Sequence, residues 1–152
     1  MRVIIFSDCH HSRVNCQELF EITPAADKYI FLGDGISSLE YSLQFYPWVQ
    51  LVAVRGNCDF CCSEKDFDSI NLFGKKIVFT HGHLLGVKSG TGTMEGYAKK
   101  ENAAVMLFGH THERYNKYHD GIYYFNPGSL STGSYGLMDI SDKGILLSHG
   151  KL

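Results

Sequence analysis

Residues 106–112 read MLFGHTH, an apolar run that ends in Gly109 and continues into two histidines separated by Thr111. Alternate side chains of an extended segment point to the same side, so His110 and His112 are predicted to present their imidazoles together. Such a pair can chelate a metal ion. An isolated His-x-His pattern is also compatible with a strand end whose histidines bond to nearby carbonyls, because short motifs match by chance.

Four other apolar runs lead into residues of the types that bind metal ions. Residues 3–6 lead into Asp8 and His10, 29–32 into Asp34, 51–54 into Asn57, and 77–79 into His81. Polar ligand types at the ends of all five runs favour a shared metal site over five unrelated strand ends.

The first part of the chain alternates strands with helices. Strands are predicted at 2–7, 28–32 and 50–55, and helices at 12–22 and 37–45. Ser12 is a candidate N-cap for the first helix, and Ser37 with Glu40 resembles a capping box at the start of the second. Because helices separate the three strands, parallel pairing with right-handed crossovers is expected.

The pattern then changes to hairpins. Gly74 and the pair Asp120-Gly121 are turn signals, while a glycine-rich loop at 84–93 precedes a helix that starts near Thr93. Further strands are predicted at 68–73, 76–80, 104–108, 114–119, 122–125, 137–140 and 145–148. Parallel units followed by hairpins predict a mixed sheet, or two sheets face to face, with helices outside. In such α/β folds, sites form beyond the carboxyl ends of the strands.

Length and charge narrow the class of protein. A chain of 152 residues suits one domain spanning residues 1–152. Its net charge is −2, with lysines and arginines scattered, which argues against a duplex nucleic acid partner but not against a small phosphate substrate. The apolar run at 3–6 is too short for a signal peptide or membrane span, so a cytoplasmic protein without a membrane partner is expected. The sequence leaves open whether the protein forms a homo-oligomer.

The five cysteines are an odd number, which in an unexported chain indicates reduced thiols. Cys58, Cys61 and Cys62 suggest a zinc cluster, but no matching second pair follows. Cys16 shares a helical face with Leu19 and is predicted to be a core residue.

The candidate ligands combine two carboxylates, one amide oxygen and four imidazoles; they are Asp8, His10, Asp34, Asn57, His81, His110 and His112. Seven ligands are too many for one four-coordinate zinc ion, and they include too few oxygens for calcium. They suit two divalent transition ions, and the ligand types alone do not choose among Mn, Ni, Fe, Co and Zn, of which Mn²⁺ is the first expectation. Two such ions, about 3.5–4 Å apart, can activate a water and hold a phosphoryl oxygen. Asp34 is the natural bridging carboxylate.

Five blocks resemble, in order and spacing, those of the calcineurin-like metallophosphoesterases, and are most similar to small bacterial and archaeal phosphodiesterases. They are Asp8-x-His10, Gly33-Asp34, Gly56-Asn57-Cys58-Asp59, His81-Gly82-His83 and Gly109-His110-Thr111-His112, followed by Asn126-Pro127-Gly128-Ser129. The resemblance spans nearly the whole chain. It implies an α/β fold with four α/β/β/α layers, in which two mixed β-sheets are flanked by helices.

The resemblance also implies a mechanism and a division of the ligands. The activity would be hydrolysis of a small phosphodiester by a hydroxide that bridges two metal ions. One ion would be held by Asp8, His10, Asp34 and His112, and the other by Asp34, Asn57, His81 and His110.

Three residues are candidates for catalysis beyond simple ligation: Asn57, Cys58 and His83. Many family members have a histidine at the position of Cys58, where it can protonate the leaving group. Here Cys58 is either a small packing residue or a weakly acidic thiol. His83 either contacts the phosphate or only opens the glycine-rich loop. In similar proteins the Asn-Pro-Gly-Ser block often continues into a Pro-Arg pair, whereas here it continues into residues 130–135. Substrate contacts near this loop are therefore not carried over from the family.

Two alternatives remain at this stage. The retromer subunit of the same fold resembles the chain in the Gly-Ser-x-x-x-Gly-x-Tyr pattern from Gly128 to Tyr135, and it works mainly as a protein-binding scaffold. That subunit lacks the histidine of the first block, whereas this chain keeps His10. Clustered carboxylates repel when nothing binds between them, so the complete ligand set favours an enzyme. A phosphomonoesterase or a nuclease would use the same metal centre.

Overall fold

The first strand shows how the layers of this protein arise. In β1 (Arg2–Phe6), Val3 and Ile5 point into one core, and Ile4 and Phe6 point into another. All four side chains are fully buried. A strand buried on both faces must lie in an inner layer, which explains its continuous apolar sequence.

The computed structural model describes residues 1–152. After β1 the elements are, in chain order, α1 Arg13–Ile22, β2 Lys28–Phe31, α2 Ile36–Leu43, β3 Leu51–Ala53, β4 Phe67–Leu72, β5 Lys75–Thr80, α3 Gly92–Lys100, β6 Val105–Leu107, β7 Arg114–His119, β8 Ile122–Pro127, β9 Ser134–Ser141 and β10 Gly144–Lys151. Short 3₁₀ turns cover His83–Leu85 and Leu130–Thr132. At ten residues or fewer, none of the helices is long enough to cross a membrane.

Two mixed five-stranded sheets form the inner layers. The first sheet has the order β10-β9-β1-β2-β3, and the second has the order β4-β5-β6-β8-β7. The strands β1, β2 and β3 pair in parallel, as predicted, and so do β5, β6 and β8. The predicted hairpins β4–β5, β7–β8 and β9–β10 are antiparallel. Each sheet therefore contains three parallel strands whose carboxyl ends share one edge.

Three apolar cores separate four layers. The central core lies between the sheets and includes Ile5, Leu107 and Phe125. A second core packs α1 and α2 on the first sheet, where Cys16 and Leu19 are fully buried as predicted. A third packs α3 on the second sheet. The predicted four-layer α/β/β/α sandwich is confirmed.

The sequence prediction was wrong about the start of the second helix and about the capping hydrogen bond of the first. The capping box at Ser37 and Glu40 does not form, because α2 already begins at Ile36 with Gly35 as its N-cap. The backbone N–H groups of Gly35 and Ile36 donate instead to the carboxylate of Asp59, at 2.8 and 2.9 Å. Ser12 occupies the N-cap position of α1, but its side chain makes no capping hydrogen bond.

Candidate metal centre

Both sheets deliver predicted ligands to the shared edge. The loops after β1, β2 and β3 carry Asp8, His10, Asp34 and Asn57, and those after β5 and β6 carry His81, His110 and His112. Side-chain donor atoms of these loops form three groups, and within each group the atoms lie no more than 4.8 Å from one another. The groups are Asp8 with His10 and His112, His10 with Asp34 and Cys58, and Asp34 with His81 and His110.

The ligand-bearing turns share an unusual backbone conformation. Positive φ angles occur at Asp8 (55°), His10 (48°), Asp34 (62°), His110 (67°) and His112 (63°). These are five of only nine non-glycine residues with positive φ in the chain. Such residues are uncommon and cluster at functional sites. The expectation of an extended His110-x-His112 pair is therefore wrong, and the two histidines fall into different ligand groups.

In the first group, Asp8 faces two imidazoles. Its Oδ1 lies 3.1 Å from His112 Nε2, and His112 Nε2 lies 3.4 Å from His10 Nε2. Asp8 is fully buried, yet this oxygen has no hydrogen-bond donor. A buried anionic oxygen without a donor is costly unless a cation compensates its charge. The arrangement therefore fits a metal ion.

In the second group, the orientation of His81 is fixed by its backbone partner. Its Nδ1 lies 2.8 Å from the carbonyl oxygen of Leu32, which can only accept, so Nδ1 must carry the proton. In the neutral ring, Nε2 then presents its lone pair toward His110 Nδ1 at 3.1 Å and Asp34 Oδ2 at 3.4 Å. A hydrogen bond on the far nitrogen is how proteins orient metal-binding histidines.

Asp34 connects the two halves of the centre. It belongs both to the group with His81 and to the group with His10 and Cys58. Its Oδ1 accepts a 2.7 Å hydrogen bond from the backbone N–H of Cys58, and its Oδ2 faces His81. This position suits a carboxylate that contacts two ions, the role predicted for it.

Burial and neighbouring charges shift the pKa values of these groups in different directions. Burial opposes ionisation of Asp34, but the His81 ring and the Cys58 N–H hold the pKa of that carboxyl well below its usual range. Burial alone would lower the pKa of His81, but Asp34 and Asp8 raise it. Burial and the neighbouring His81 charge lower the pKa of His110 to about 4, so His110 is a neutral imidazole at neutral pH.

Two motif glycines make room for the carboxylates. A Cβ on Gly56 would collide with the carboxylate of Asp34. A Cβ on Gly109 would collide with the hydroxyl of Ser7 and lie 3.0 Å from Asp8 Oδ2. Only glycine allows the backbone of these turns to approach the acidic side chains so closely.

Asp59 is a structural residue that the sequence analysis left without a role. Its carboxylate accepts backbone N–H groups from Asp34 at 2.7 Å, Gly35 at 2.8 Å, Ile36 at 2.9 Å and Gly56 at 2.8 Å. It thus joins the turn after β2 to the turn after β3. Its place in the Gly56–Asp59 block was the signal that could have identified it.

Asn126 performs the matching task for the second sheet. This fully buried amide donates to the carbonyl of Gly109 at 2.9 Å and to Thr111 Oγ1 at 3.1 Å, and its oxygen accepts the N–H of Gly128. Ser129 donates to the carbonyl of Asp8 at 2.8 Å. The Asn126–Ser129 block therefore supports the loops that carry ligands.

The predicted catalytic residues lie at the mouth of the centre. Asn57 and Cys58 are exposed, with Asn57 Nδ2 3.3 Å from Cys58 Sγ. Burial and the nearby Asp34 carboxylate raise the pKa of the Cys58 thiol to about 11. His83 is half-buried, its Nδ1 is buried without a partner, and burial followed by the His81 charge lowers its pKa.

An open cavity of about 390 Å³ adjoins these residues; its lining includes Arg55, Asn57, Phe60, His83 and Leu84. Arg55 does not present a free charge there, because its guanidinium binds both oxygens of Asp66 at 2.7 and 2.8 Å. The cavity offers space beside the ligands for a small substrate.

The suggested cysteine cluster does not form. All five cysteines are free, and Cys9 and Cys16 are buried in the core under α1 and α2. Neither Cys61 nor Cys62 belongs to any of the three groups of potential ligands.

Comparison with known proteins gives a consistent result. A sequence profile of the calcineurin-like phosphoesterase superfamily domain matches residues 1–149. The chain is 33% identical over 150 residues to the probable metallophosphoesterase YsnB of Bacillus subtilis, with 93% of this chain and 86% of that protein covered. It is 32% identical over 107 residues to the phosphodiesterase YfcE of Escherichia coli K12, covering 59% of this chain and 53% of that protein.

Solved structures share the architecture. A predicted phosphoesterase from Streptococcus pneumoniae superposes with a TM-score of 0.83 at 25% identity, covering 99% of this chain and 88% of that chain. A Vps29 single mutant from Entamoeba histolytica superposes with a TM-score of 0.80 at 18% identity, covering 100% and 99% of the two chains. At 18% identity, the similarity to Vps29 shows a shared fold only.

Proposed function

Since the chain belongs to the calcineurin-like phosphoesterase superfamily, we propose that it hydrolyses a small phosphodiester at a centre of two divalent transition-metal ions. The observation that carries this proposal is a pair of neighbouring donor groups, Asp8 with His10 and His112, and Asp34 with His81 and His110. Their donors are carboxylate and imidazole groups, a set that suits Mn, Fe, Co, Ni or Zn.

The division of the ligands between two sites follows the family resemblance, and two of the three groups of neighbouring donor atoms support it. Asp8, His10, Asp34 and His112 would hold one ion. Asp34, His81 and His110, together with the amide of Asn57, would hold the other. When bound, the ion pair supplies an activated water as nucleophile and neutralises charge on the phosphoryl oxygens.

The residues around the sites have separate tasks in this proposal. Asp59 and Asn126 fix the loops that position the ligands, since they bind the backbone of the turns after β2 and β6. Asn57 and His83 line the adjoining cavity, where the phosphoryl group and its leaving group would lie. A neutral His83 can donate a hydrogen bond to a departing oxygen.

The shape and charge of the surroundings favour a small substrate. The cavity is open and measures about 390 Å³, within the range of small-molecule sites. Its arginine is already paired with Asp66, so the walls do not form the basic face that a nucleic acid duplex needs. A phosphomonoester is the nearest alternative substrate, because it would use the same ions.

The alternative of a protein-binding scaffold is supported by one surface feature. Phe45 and Trp48, which follow α2, are 55% and 52% exposed. Large exposed apolar side chains can mark a protein contact. The complete ligand set, including His10, supports catalysis more directly than these two residues support docking.

Metal analysis combined with an activity screen tests the enzyme proposal. The protein would be treated with a chelator, dialysed and reconstituted with Mn²⁺, Co²⁺, Ni²⁺ or Zn²⁺, then assayed with bis-p-nitrophenyl phosphate and p-nitrophenyl phosphate. We expect about two ions per chain, faster hydrolysis of the diester, and loss of activity on chelation.

The adjacent histidines provide a matched pair of variants. His10→Ala should lower metal content and activity, whereas His11→Ala, which changes an exposed histidine outside every ligand group, should change neither. A folded wild-type sample that takes up no ion under any of these conditions would refute the catalytic proposal and favour the scaffold.

A further inference from the structure

The thiol of Cys58 lies within reach of the metal centre. Its Sγ, a ring nitrogen of His10 and a carboxylate oxygen of Asp34 all lie within 4.8 Å of one another. Metal–ligand bonds of about 2.0–2.3 Å place two donors on opposite sides of one ion roughly 4.3 Å apart. The three atoms are therefore spaced so that modest adjustment would bring them onto a single ion.

Local hydrogen bonds hold Cys58 in this position. Its backbone N–H donates to Asp34 Oδ1 at 2.7 Å, which fixes residue 58 beside the central carboxylate. On the other side, Asn57 Nδ2 lies 3.3 Å from the sulfur and can donate to it. A sulfur that accepts this hydrogen bond keeps its remaining lone pairs free for the centre.

The other two cysteines nearby are placed differently. Cys61 and Cys62 line the same cavity of about 290 Å³ as Cys58, yet neither lies in a group with His10 or Asp34. The relation to the ligands is thus specific to Cys58 and does not extend to every thiol on this surface.

A second observation points to an ion beside the same histidine. Asp8 Oδ1 is buried and lacks a hydrogen-bond donor, and Asp8 shares His10 with the group that contains Cys58. An ion that compensates Asp8 would therefore lie against His10, on which the sulfur also converges.

We propose that Cys58 Sγ is an additional ligand of the ion held by Asp8, His10, Asp34 and His112. The proposal rests on the two-ion function above and specifies one of its sites. Coordination replaces the S–H bond with a sulfur–metal bond, and the proton passes to solvent. Five protein donors leave the sixth position of an octahedral ion for the water that the proposed function requires.

The added sulfur has two consequences for the centre. Thiolates select softer ions, so this site should favour Zn²⁺ or Co²⁺ over Mn²⁺ more than a site with oxygen and nitrogen donors alone. A sulfur bound to an ion also cannot protonate a leaving group. That task then falls to His83, which faces the neighbouring cavity of about 390 Å³.

Cobalt spectroscopy tests the coordination without relying on activity. Co²⁺ would be titrated into chelator-treated wild type, Cys58→Ala and the matched control Cys61→Ala. Both substitutions remove an exposed thiol from the same cavity. We expect a near-ultraviolet sulfur-to-cobalt charge-transfer band in the wild type and in Cys61→Ala. It should be absent from Cys58→Ala, while visible cobalt bands persist.

The outcomes separate this inference from the proposed function. Visible cobalt bands without charge transfer in the wild type would overturn the role of Cys58 and leave the two-ion centre standing. Loss of the charge-transfer band in Cys61→Ala instead of Cys58→Ala would also overturn it. Absence of cobalt binding altogether would overturn both proposals.

Metal competition provides a second readout. Against a fluorescent chelator, Cys58→Ala should weaken Zn²⁺ binding at least about tenfold, the lower end of what loss of even an outer partner costs. Mn²⁺ binding should fall by less. Equal losses for the two ions would contradict a soft ligand at position 58.

Discussion

The two sheets contribute different chemistry to one site. The loops of the first sheet supply Asp8, Asp34 and Asn57, which are all the candidate oxygen ligands, together with His10. The loops of the second sheet supply imidazoles alone: His81, His110 and His112. One half therefore carries the carboxylates that attract cations, and the other carries imidazole donors that complete the coordination.

The ligand loops of each half are also held in place by a different side chain, which we call the brace of that sheet. On the first sheet, the ionised carboxylate of Asp59 gathers four backbone N–H groups. On the second, the neutral amide of Asn126 supports the loop of His110. Since neither sheet holds a full set of ligands, the centre forms only when the sheets are docked. The following variants test this division, in order of expected effect.

Asp34→Asn should cause the largest loss, because Asp34 is proposed to contact both ions and an amide offers less charge to offset them. We expect kcat/KM for a diester to fall at least about 10³-fold, beyond the loss of one oxyanion donor. Asn57→Ala, which removes a neutral ligand from one site, should cost less. Equal and small losses from the two changes would refute the bridging role.

His83→Asn tests whether the second sheet contributes a proton donor in addition to metal ligands. If His83 donates to the leaving oxygen, an alkyl phosphodiester should react about 10²-fold more slowly, the lower end for general acid catalysis. A nitrophenyl diester, whose leaving group needs little protonation, should be affected much less. Comparison of kcat for the two esters is the measurement, and the same factor for both would assign protonation to water.

Asp59→Ala tests the brace of the first sheet. Removing a charged acceptor from several N–H groups should lower the free energy of unfolding by about 2–3 kcal/mol. Metal content should fall as well, because the turn that carries Asp34 loses its support. Chemical denaturation provides the measurement. The control is Asp27→Ala, whose exposed carboxylate accepts one backbone N–H from Arg2 far from the site.

Asn126→Ala tests the brace of the second sheet and should have the smallest effect. Its hydrogen bonds join neutral groups, so we expect a loss of about 1–2 kcal/mol in the free energy of unfolding. Denaturation with and without added metal would measure it. A loss greater than that of Asp59→Ala would reverse the ranking of the two braces.

The apolar runs allowed much of this molecule to be predicted from sequence. Buried strands such as 3–6 and 77–79 have a strong local signal, and their order fixed the parallel pairing of the first sheet. The metal-binding residue types at the ends of these runs indicated which edge of the sheets would carry the site. These features depend on residues adjacent in the chain.

The errors have a common physical cause, since they involve partners that are distant in sequence. The start of α2 is set by Asp59, 23 residues beyond Ile36, and no local pattern announces such a cap. The pairing of β9 with β1, for which the sequence analysis made no prediction, also joins distant parts of the chain. The left-handed turns at His110 and His112 depend on Asn126 and on the Asp8 carboxylate, which receives the His110 N–H.

Because five ligand positions have a left-handed backbone, substitutions there that stabilise the fold would remove metal binding. Each such residue costs on the order of 1 kcal/mol that glycine would not. His112 is exposed, so His112→Gly would relieve this strain while sacrificing little packing. A library screened only for heat resistance in the presence of a chelator should therefore enrich glycine at these positions. Its most stable members would be those that have lost the capacity to bind metal.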